Sequence, residues 1–336
     1  MATKGTFEPH PWLRSGHAQT IGAAFVPRTF TLPRGEERLF QVDHESQIKG
    51  ICHWLDETGT PPQFEQPVVV IVHGLEGSCD SNYAKGISEK ALKRGFHAVR
   101  LNQRNCGGTE QLTPTLYNSG LSGDYRAVLH HLIEQGFKQV FFVGYSMGGN
   151  LVTKMAGELA VGAPKQLRGV AVVCPALDLS ACADALEERQ NYLYQRHFVR
   201  GLLNRYERKC KLYPHRYAAN GFGRVRTVRE FDDAITAPCF GFRDAEEYYE
   251  SAGAKRVIGQ VAVPLLVITA QDDPFVPYGS FLATRVDANP CVELIAPEHG
   301  GHCGFVSRWS GNERFWAEER IVEWIASHAK GFSKDA

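Results

Sequence analysis

The chain of 336 residues is 43% hydrophobic, which is enough to bury a large core and excludes an intrinsically disordered protein. Its 37 Lys and Arg residues balance 37 Asp and Glu residues, so no overall charge attracts nucleic acid, and no nucleic-acid partner is expected. No stretch approaches the roughly 18 consecutive apolar residues that a membrane-spanning helix needs, so we expect no transmembrane segment.

The cysteines indicate the compartment. There are nine of them, an odd number, and none stands in C-x-x-C spacing, which argues against a disulfide framework and against a zinc site. Residues 1–17 contain no apolar run of signal-peptide length. We therefore predict a protein of the reducing cytoplasm.

The first predicted elements are an arm and a hairpin. Residues 1–36 are rich in Pro, Gly and aromatic residues without a clear period, and we expect an irregular arm packed on the core. Residues 37–43 and 48–55 alternate polar and apolar side chains around a polar break, which predicts an antiparallel hairpin. Residues 57–66, which include two prolines, predict a loop.

Strands and helices then alternate, which predicts the first part of an α/β core over residues 37–176. The run at 67–72 (PVVVIV) is too continuously apolar for a half-exposed strand and predicts a buried parallel strand. The other predicted elements of this part are helices at 82–94 and 121–135 and strands at 96–101, 140–143 and 168–174.

The sequence at 138–151 (KQVFFVGYSMGGNL) predicts a strand, a sharp turn and a helix around one serine. Gly144, Ser146 and Gly148 fit G-x-S-x-G, the turn that raises a serine hydroxyl above the end of a central strand. A Cβ atom two residues before or after the serine would collide with the neighbouring strand or helix, and glycine removes it. The short pattern also occurs by chance, so its strand and helix context is what supports Ser146 as the candidate nucleophile.

A second glycine-rich turn, HGLEG at 73–77, follows the buried strand. The N–H group of Leu75 in this turn and that of Met147, next to the serine, are the two expected donors to an oxyanion. The alternative for HGLEG is a plain turn without a role in binding. The residues that we expect to contact the substrate are His73, Gly74 and Tyr145.

Beyond the strand at 168–174 the β pattern stops, and residues 177–259 are rich in aromatic residues and arginine, with mostly helical patterning. We expect a helical lid inserted into the core. Between residues 184 and 229 there are eleven Arg or Lys residues against four Asp or Glu residues, which would favour weak contact with an anionic membrane surface. The alternative is structural, with arginine stems packed over aromatic side chains.

The second part of the core is expected over residues 260–336. A predicted strand at 263–270 is followed by Asp272 and Asp273, where a carboxylate would support a catalytic base. Asp273 is preferred because it stands three residues before an apolar residue and a proline. Asp272 is the alternative, and either carboxylate could instead cap the following helix.

A last strand is predicted at 291–296 and a closing helix at 312–328, with two histidines between them. His302 follows two glycines, which let a loop bring its imidazole over the nucleophile, so it is preferred to His299 as general base. Two histidines three residues apart could also bind a metal ion, but no HExxH motif or further ligand cluster accompanies them. We therefore expect no metal site and no cofactor.

The order Ser146, Asp273, His302 is the triad order of α/β-hydrolases, whose fold is a mostly parallel sheet of about eight strands flanked by helices. Over nearly its whole length the chain moreover resembles the YheT-like family of that superfamily, related to mammalian abhydrolase-domain lipases. The motif in the lid is the most specific, because no general rule of the fold requires it. The motifs that carry the resemblance are GHAQT at 16–20, HGLEG at 73–77, RNCGG at 104–108, GYSMGGN at 144–150, REFDDAITAPCFGFRDAEEYY at 229–249, DDPF at 272–275 and GGHCGF at 300–305.

The resemblance implies a short- to medium-chain carboxylesterase or lipase-like enzyme that acts on a small-molecule ester or lipid. Peptidase, thioesterase and acyltransferase reactions would use the same triad and stay open. Epoxide hydrolases and dehalogenases of this fold have an aspartate in place of Ser146, so the serine argues against those reactions. From a different class, the alternative is a non-catalytic module whose basic lid binds an anionic surface or a protein. The sequence does not indicate the oligomeric state.

Overall fold

The computed structural model describes residues 6–55, 64–217, 224–308 and 314–331. Its strands are β1 (Glu36–Gln41), β2 (Gln47–His53), β3 (Val68–Val72), β4 (His97–Leu101), β5 (Val140–Tyr145), β6 (Leu167–Val173), β7 (Leu265–Ile268) and β8 (Val292–Ile295). They form one eight-stranded sheet in the order β1-β2-β4-β3-β5-β6-β7-β8. β1 pairs antiparallel with β2 and β2 with β4, whereas all other neighbours are parallel. The predicted hairpin and mostly parallel sheet are confirmed.

Helices cover both faces of this sheet. They are α1 (Gly16–Phe25), α2 (Asn82–Lys93), α3 (Ser122–Glu134), α4 (Met147–Leu159), α5 (Leu179–Glu187), α6 (Tyr192–Leu212), α7 (Val228–Phe231), α8 (Ala245–Ala252), α9 (Tyr278–Ala283) and α10 (Trp316–His328). A π-helical segment, Asp232–Thr236, and one further turn, Ala237–Cys239, continue α7. Short 3₁₀ helices cover Glu110–Leu112, Ala160–Gly162, Arg189–Asn191, Ala254–Arg256, Ile258–Gln260 and Val286–Ala288.

The predicted helices at 82–94 and 121–135 are confirmed to within one residue at each end. The closing helix begins at Trp316, four residues later than predicted, and residues 312 and 313 lie outside the described ranges. Of the loop predicted at 57–66, residues 57–63 also lie outside them. Among the described residues, no helix combines the length and the apolar character that crossing a bilayer requires.

Both faces of the central strands are covered, which explains their unbroken apolar sequence. All five residues of β3 are buried. Val68, Val70 and Val72 pack in one apolar cluster with side chains of α3, α4 and α5 to α8, the helices of the segment that we expected to form a lid. Val69 and Ile71 point to the opposite face and pack with side chains of α2 and α10. Because successive side chains of a strand alternate between faces, a sheet that is covered on both sides needs apolar residues at every position.

The register of the parallel strands brings the loops of the site together. Val72 at the end of β3 lies opposite Gly144 of β5. Val173 of β6 in turn lies between Tyr145 of β5 and Ile268 of β7. The loops that follow β3, β5, β6 and β7 therefore begin side by side at one edge of the sheet.

The N-terminal arm contains a helix, so the expectation of an irregular arm is wrong for α1. The Ser15 hydroxyl accepts a hydrogen bond from the Ala18 N–H at 3.2 Å and caps the helix. The buried side-chain amide of Gln19 donates to the Val306 carbonyl at 3.0 Å and accepts from the Val306 N–H at 2.8 Å. Contacts to the core stabilise α1, and a periodic sequence pattern does not report such contacts.

A buried ion cluster connects the arm to α10. The Glu318 carboxylate accepts hydrogen bonds from Arg28 at 2.6 and 2.8 Å and from Lys90 at 2.8 Å. The exposed fraction of each of these three side chains is 10% or less. The Arg28 guanidinium also lies 3.6 Å from the centre of the Phe315 ring. One carboxylate thus neutralises two buried cations, and its bonds to Arg28 hold the arm against α10.

Replacing Glu318 with Gln should lower the free energy of unfolding by about 3 kcal/mol, because two buried cations lose their counter-charge. Chemical denaturation followed by tryptophan fluorescence measures this change. Glu250→Gln is the matched control, since Glu250 pairs with Lys255 at the surface and its loss should change the same quantity by less than about 1 kcal/mol. Equal effects of the two substitutions would contradict the anchoring role of Glu318.

Candidate active site

Ser146 occupies the turn between β5 and α4 in a strained backbone conformation. Its φ is 53° and its ψ is −120°, a region that side-chain-bearing residues rarely adopt. The Ser146 N–H donates to the Val173 carbonyl at 2.9 Å, and the Ser146 carbonyl accepts from the Asn150 N–H at 3.1 Å. The end of β6 and the first turn of α4 therefore fix the serine from both sides.

The glycines that flank Ser146 are required by close backbone packing. A Cβ atom on Gly144 would lie 2.5 Å from the Gly148 carbonyl oxygen. A Cβ atom on Gly148 would lie 2.5 Å from the Val72 carbonyl oxygen and would also overlap that of His73. The start of α4 thus packs directly on the end of β3. This close contact is the steric reason for glycine at these two positions, as the sequence pattern suggested.

Asp273 lies directly behind His302. The His302 Nδ1 is 2.8 Å from the Asp273 Oδ2, and the Asp273 side chain is fully buried. The Asp273 Oδ1 accepts hydrogen bonds from the N–H groups of Phe275 at 3.0 Å and Val276 at 2.9 Å. These bonds hold the carboxylate in place. Because an ionised carboxylate can only accept hydrogen bonds, Nδ1 of His302 carries the proton, and Nε2 is the nitrogen that can accept another.

Asp272 and His299, the alternatives considered from the sequence, form a separate and more exposed pair. The His299 Nδ1 lies 3.2 Å from the Asp272 Oδ2, and the His299 side chain is 45% exposed. The other Asp272 oxygen accepts from the Gly301 N–H at 2.9 Å. The structure thus brings Asp273, and not Asp272, to His302, and the two histidines contact different carboxylates instead of converging on one point.

Two cysteines lie beside the His302 ring. Within the described residues, Cys174, His302 and Cys303 form the one cluster of three side chains whose ligand atoms are close enough to hold a metal ion. The Cys303 N–H donates to the Cys174 sulfur at 3.3 Å. Burial alone would lower the pKa of His302, but the negative charge of the Asp273 carboxylate, together with the neighbouring sulfur of Cys303 in its ionised form, outweighs burial and raises that pKa above its ordinary value. The site therefore stabilises a positive charge on the imidazole.

The turn after β3 lies beside the serine. A Cβ atom on Gly74 would be 3.0 Å from the Ser146 Cβ. The N–H groups of Leu75 and Met147, predicted as oxyanion donors, have no hydrogen-bond acceptor within the described part of the chain. Met147 is the first residue of α4, where no intrahelical acceptor exists. Both amides are thus available to stabilise negative charge next to the serine.

His73 stabilises this turn through hydrogen bonds of its ring. Its ring is fully buried, with Nδ1 bonded to the Gly74 carbonyl at 2.7 Å and Nε2 accepting from the Gln103 N–H at 3.1 Å. Burial lowers the pKa of His73 to about 4, so the ring is neutral at pH 7. Its position differs from the predicted substrate contact, because both ring nitrogens are used inside the protein.

Two cavities meet at Ser146. The larger one, of about 490 Å³, is lined by Ser146 and His302. The smaller one, of about 100 Å³, is lined by Ser146 and Met147 but not by His302. Leu75 lines both cavities. Of the residues expected to contact the substrate, Gly74 and Tyr145 line the larger cavity and His73 lines neither.

The arm holds the His302 loop, a role that we did not predict. The Thr20 hydroxyl accepts a hydrogen bond from the His302 N–H at 2.8 Å and donates to the Gly16 carbonyl at 2.7 Å. On the same helix, Gln19 is bonded to Val306, beyond the histidine in sequence. The GHAQT motif, which contains all three arm residues, was the one signal in the sequence for this contact.

Several basic residues of the lid are engaged in ion pairs. Arg205 of α6 lies 3.0 Å from Glu76, in the turn after β3, and connects the lid to the site. Further pairs are Arg208 with Glu110 at 2.6 Å and Arg229 with Asp184 at 2.6 Å. These pairs give three of the basic residues a structural role. The guanidinium groups of Arg205 and Arg229 also lie over the rings of Tyr117 and Tyr249, as in the alternative considered from the sequence.

Comparisons with known proteins show the family and the fold of this chain. Residues 67–308 match the model of the alpha/beta hydrolase fold family. The putative esterase YheT of Escherichia coli is 35% identical over 275 residues, which cover 80% of this chain and 79% of that protein. Phospholipase ABHD3 of Mus musculus is 26% identical over 306 residues, covering 90% of this chain and 73% of that protein. The solved structure of the Pyrococcus furiosus esterase Pf2001 covers 90% of this chain and 99% of its own with a TM-score of 0.57 and 13% identity, which supports the fold.

Replacing Gly148 with Ala should lower the free energy of unfolding by about 3 kcal/mol, because the new methyl group overlaps backbone oxygens that have no room to move. Gly123→Ala is the matched control: Gly123 is also the second residue of its helix, and its Cβ would meet nothing within 4 Å. The control should be neutral or stabilising by up to about 1 kcal/mol. Thermal and chemical denaturation measure both changes, and a neutral Gly148→Ala would contradict the packing described here.

Proposed function

The chain belongs to the YheT-like family of α/β-hydrolases, and from this membership we propose that it is a serine hydrolase that cleaves carboxylic esters through an acyl-enzyme on Ser146. The observation that carries the proposal is the bond of 2.8 Å between Asp273 and His302, made where His302 and Ser146 line the same cavity. The family is one of esterase- and lipase-type hydrolases. The names of two relatives, a putative esterase and a phospholipase, support an ester or lipid substrate for this chain.

In the proposed mechanism, His302 takes the hydroxyl proton of Ser146 as the oxygen attacks the ester carbonyl. Asp273 holds the imidazole in the correct tautomer and stabilises the positive charge that it gains. The raised pKa of His302 is in keeping with this stabilisation. The alcohol leaves with the proton from His302, and a water molecule then repeats the sequence to release the acid.

The amides of Leu75 and Met147 are proposed to bind the oxygen that becomes negative during both steps. Removing one such donor from a comparable site costs about 3 kcal/mol of transition-state stabilisation. The positions of these two amides depend on the His73 hydrogen bonds and on the start of α4, respectively. His73 is thus proposed as a positioning residue, whereas Gly74 and Tyr145 are proposed to contact the substrate from the larger cavity.

The cytoplasm is the proposed location. All nine cysteines are unpaired in the structure, which suits a reducing compartment. The proposed chemistry uses side chains and water alone, so no cofactor is included. Weak contact of the lid with an anionic membrane surface stays a prediction.

Replacing Ser146 with Ala should lower kcat for ester hydrolysis on the order of 10⁶-fold, because the acyl group loses its point of attachment. It should also abolish labelling by a fluorophosphonate, while circular dichroism shows an unchanged fold. Ser251→Ala, at an exposed position in α8, is the matched control and should keep both turnover and labelling. Labelling that persists in Ser146→Ala would refute the assignment of the nucleophile.

The value of kcat/KM should rise with pH, because only the neutral imidazole of His302 can accept the proton of Ser146. Since Asp273 raises the pKa of His302, the midpoint of the rise should lie above about pH 6.5. In Asp273→Asn the carboxylate charge is gone, so the midpoint should move to lower pH and the plateau should fall by about 10⁴-fold. Asp272→Asn serves as the control and should retain the midpoint. The same shift in both variants would contradict the pairing of Asp273 with His302.

A further inference from the structure

The two cavities that meet at Ser146 differ in which part of the proposed machinery they contain. His302 lines the larger cavity only. Met147 lines the smaller cavity only. The serine therefore stands on a boundary, with the proton carrier on one side and one of the oxyanion donors on the other.

The chemistry assigns the two halves of an ester to these two sides. When the acyl-enzyme forms, the Ser146 oxygen bonds to the carbonyl carbon, and the bond from that carbon to the alcohol oxygen breaks. The proton that His302 took from the serine passes to the departing alcohol oxygen. This transfer requires the alcohol oxygen to lie within hydrogen-bond reach of His302. The alcohol half of the substrate must therefore lie on the His302 side.

We propose that the smaller cavity is the acyl site and the larger cavity the alcohol site, so that the substrates are esters of a short acyl group with a bulky alcohol. This inference rests on the proposed function and goes further by naming the substrate class. It makes the lid the determinant of acyl-chain length, because lid side chains from α5 to α8 line much of the smaller cavity.

The surface of the smaller cavity suits an unsubstituted hydrocarbon chain. Leu179 and Leu186 of α5, Leu202 of α6 and Phe231 of α7 are among its lining residues. Among the described lining residues the one carboxylate is that of Asp232, and it already accepts a hydrogen bond from the Tyr249 hydroxyl at 2.7 Å. An acyl group thus meets mainly apolar side chains there.

The volume of the smaller cavity limits the length of this chain. A protein cavity of about 150 Å³ accommodates benzene, which has about six non-hydrogen atoms. By the same proportion, a cavity of about 100 Å³ accommodates on the order of four. Acyl groups near butyryl should therefore fill the site, and longer chains should not fit without displacing the lid.

The larger cavity has room for a bulky alcohol and reaches the surface. Ile21 and Phe25 of α1 line it, and the 79% exposure of Phe25 shows that this side of the cavity opens to solvent. Arg28 and Glu318 bring charged groups to the same cavity. An alcohol that is large and carries polar groups can thus extend from Ser146 toward solvent.

The test measures kcat/KM for two series of esters with the unaltered protein. With the alcohol fixed as p-nitrophenol, the value should peak near butyrate, and each further methylene should lower it by about 10-fold. With the acyl group fixed as butyryl, phenols of similar acidity but increasing size, from phenol to a naphthol, should change the value much less. A maximum at decanoate or longer would overturn the inference, and so would exclusion of the bulky alcohols.

A pair of matched lid variants locates the acyl site. Leu186→Ala removes about three carbon atoms from the wall of the smaller cavity, so the best acyl group should become two to three carbons longer. Leu193→Ala makes the same change on α6 at a position that is 73% exposed and lines neither cavity, and it should leave the acyl preference unchanged. An unchanged preference in Leu186→Ala, once its fold is verified, would overturn the assignment of the acyl site.

Labelling of Ser146 by a fluorophosphonate separates this inference from the proposed function. A protein that is labelled but prefers long acyl chains would overturn the inference and leave the proposed function standing. A protein that is neither labelled nor able to hydrolyse any ester of either series would overturn both.

Discussion

The parallel register of β3, β5, β6 and β7 is the constraint on which the site depends. Strand ends in register place the following loops at one edge, and the turn at Ser146 is held there by the Val173 carbonyl and by the close approach of Gly148 to β3. A shift of one residue between β3 and β5 would turn every side chain of one strand to the opposite face. The apolar clusters on the two faces therefore protect the geometry of the site as well as the stability of the fold.

Contacts from the arm and the lid then fix the positions of the loops that meet at this edge of the sheet. The arm holds His302 through the Thr20 hydroxyl, and the arm is itself held by Glu318 between two buried cations. On the other side, Arg205 of the lid bonds to Glu76 in the turn that carries Leu75. Removing one partner from such a buried pair strands a charge, so these contacts favour one position of arm and lid over alternatives.

The sequence predicted most of the sheet, since its strands are bounded by glycines, prolines and polar turns, and the serine turn has its own steric pattern. It left open the choice between Asp272 and Asp273, which differ by one position in the chain but bond to different histidines, His299 and His302 respectively. It failed for α1, whose helix depends on Gln19 contacting Val306, a residue distant in the chain. It also assigned His73 to the substrate, because a motif specifies a residue type but not which way a ring faces. Such outcomes depend on tertiary contacts that no local pattern contains.

The arm and the lid contribute different residues to the two cavities at Ser146. Specificity for the alcohol and specificity for the acyl group can therefore depend on different parts of the chain. The arm lines the larger cavity through α1 and also fixes His302, so a change in α1 would affect both alcohol binding and proton transfer. The lid lines much of the smaller cavity through α5 to α8. It contacts the site through Arg205, which bonds to Glu76, and through Tyr194 and Phe198 of α6, whose rings pack against Phe275 beside His302. Leu179 and Leu186 of α5 line the smaller cavity only, so substitutions there can alter the room for an acyl chain without removing a hydrogen-bond partner of His302. A separation of this kind allows relatives with the same triad to differ in the esters that they cleave.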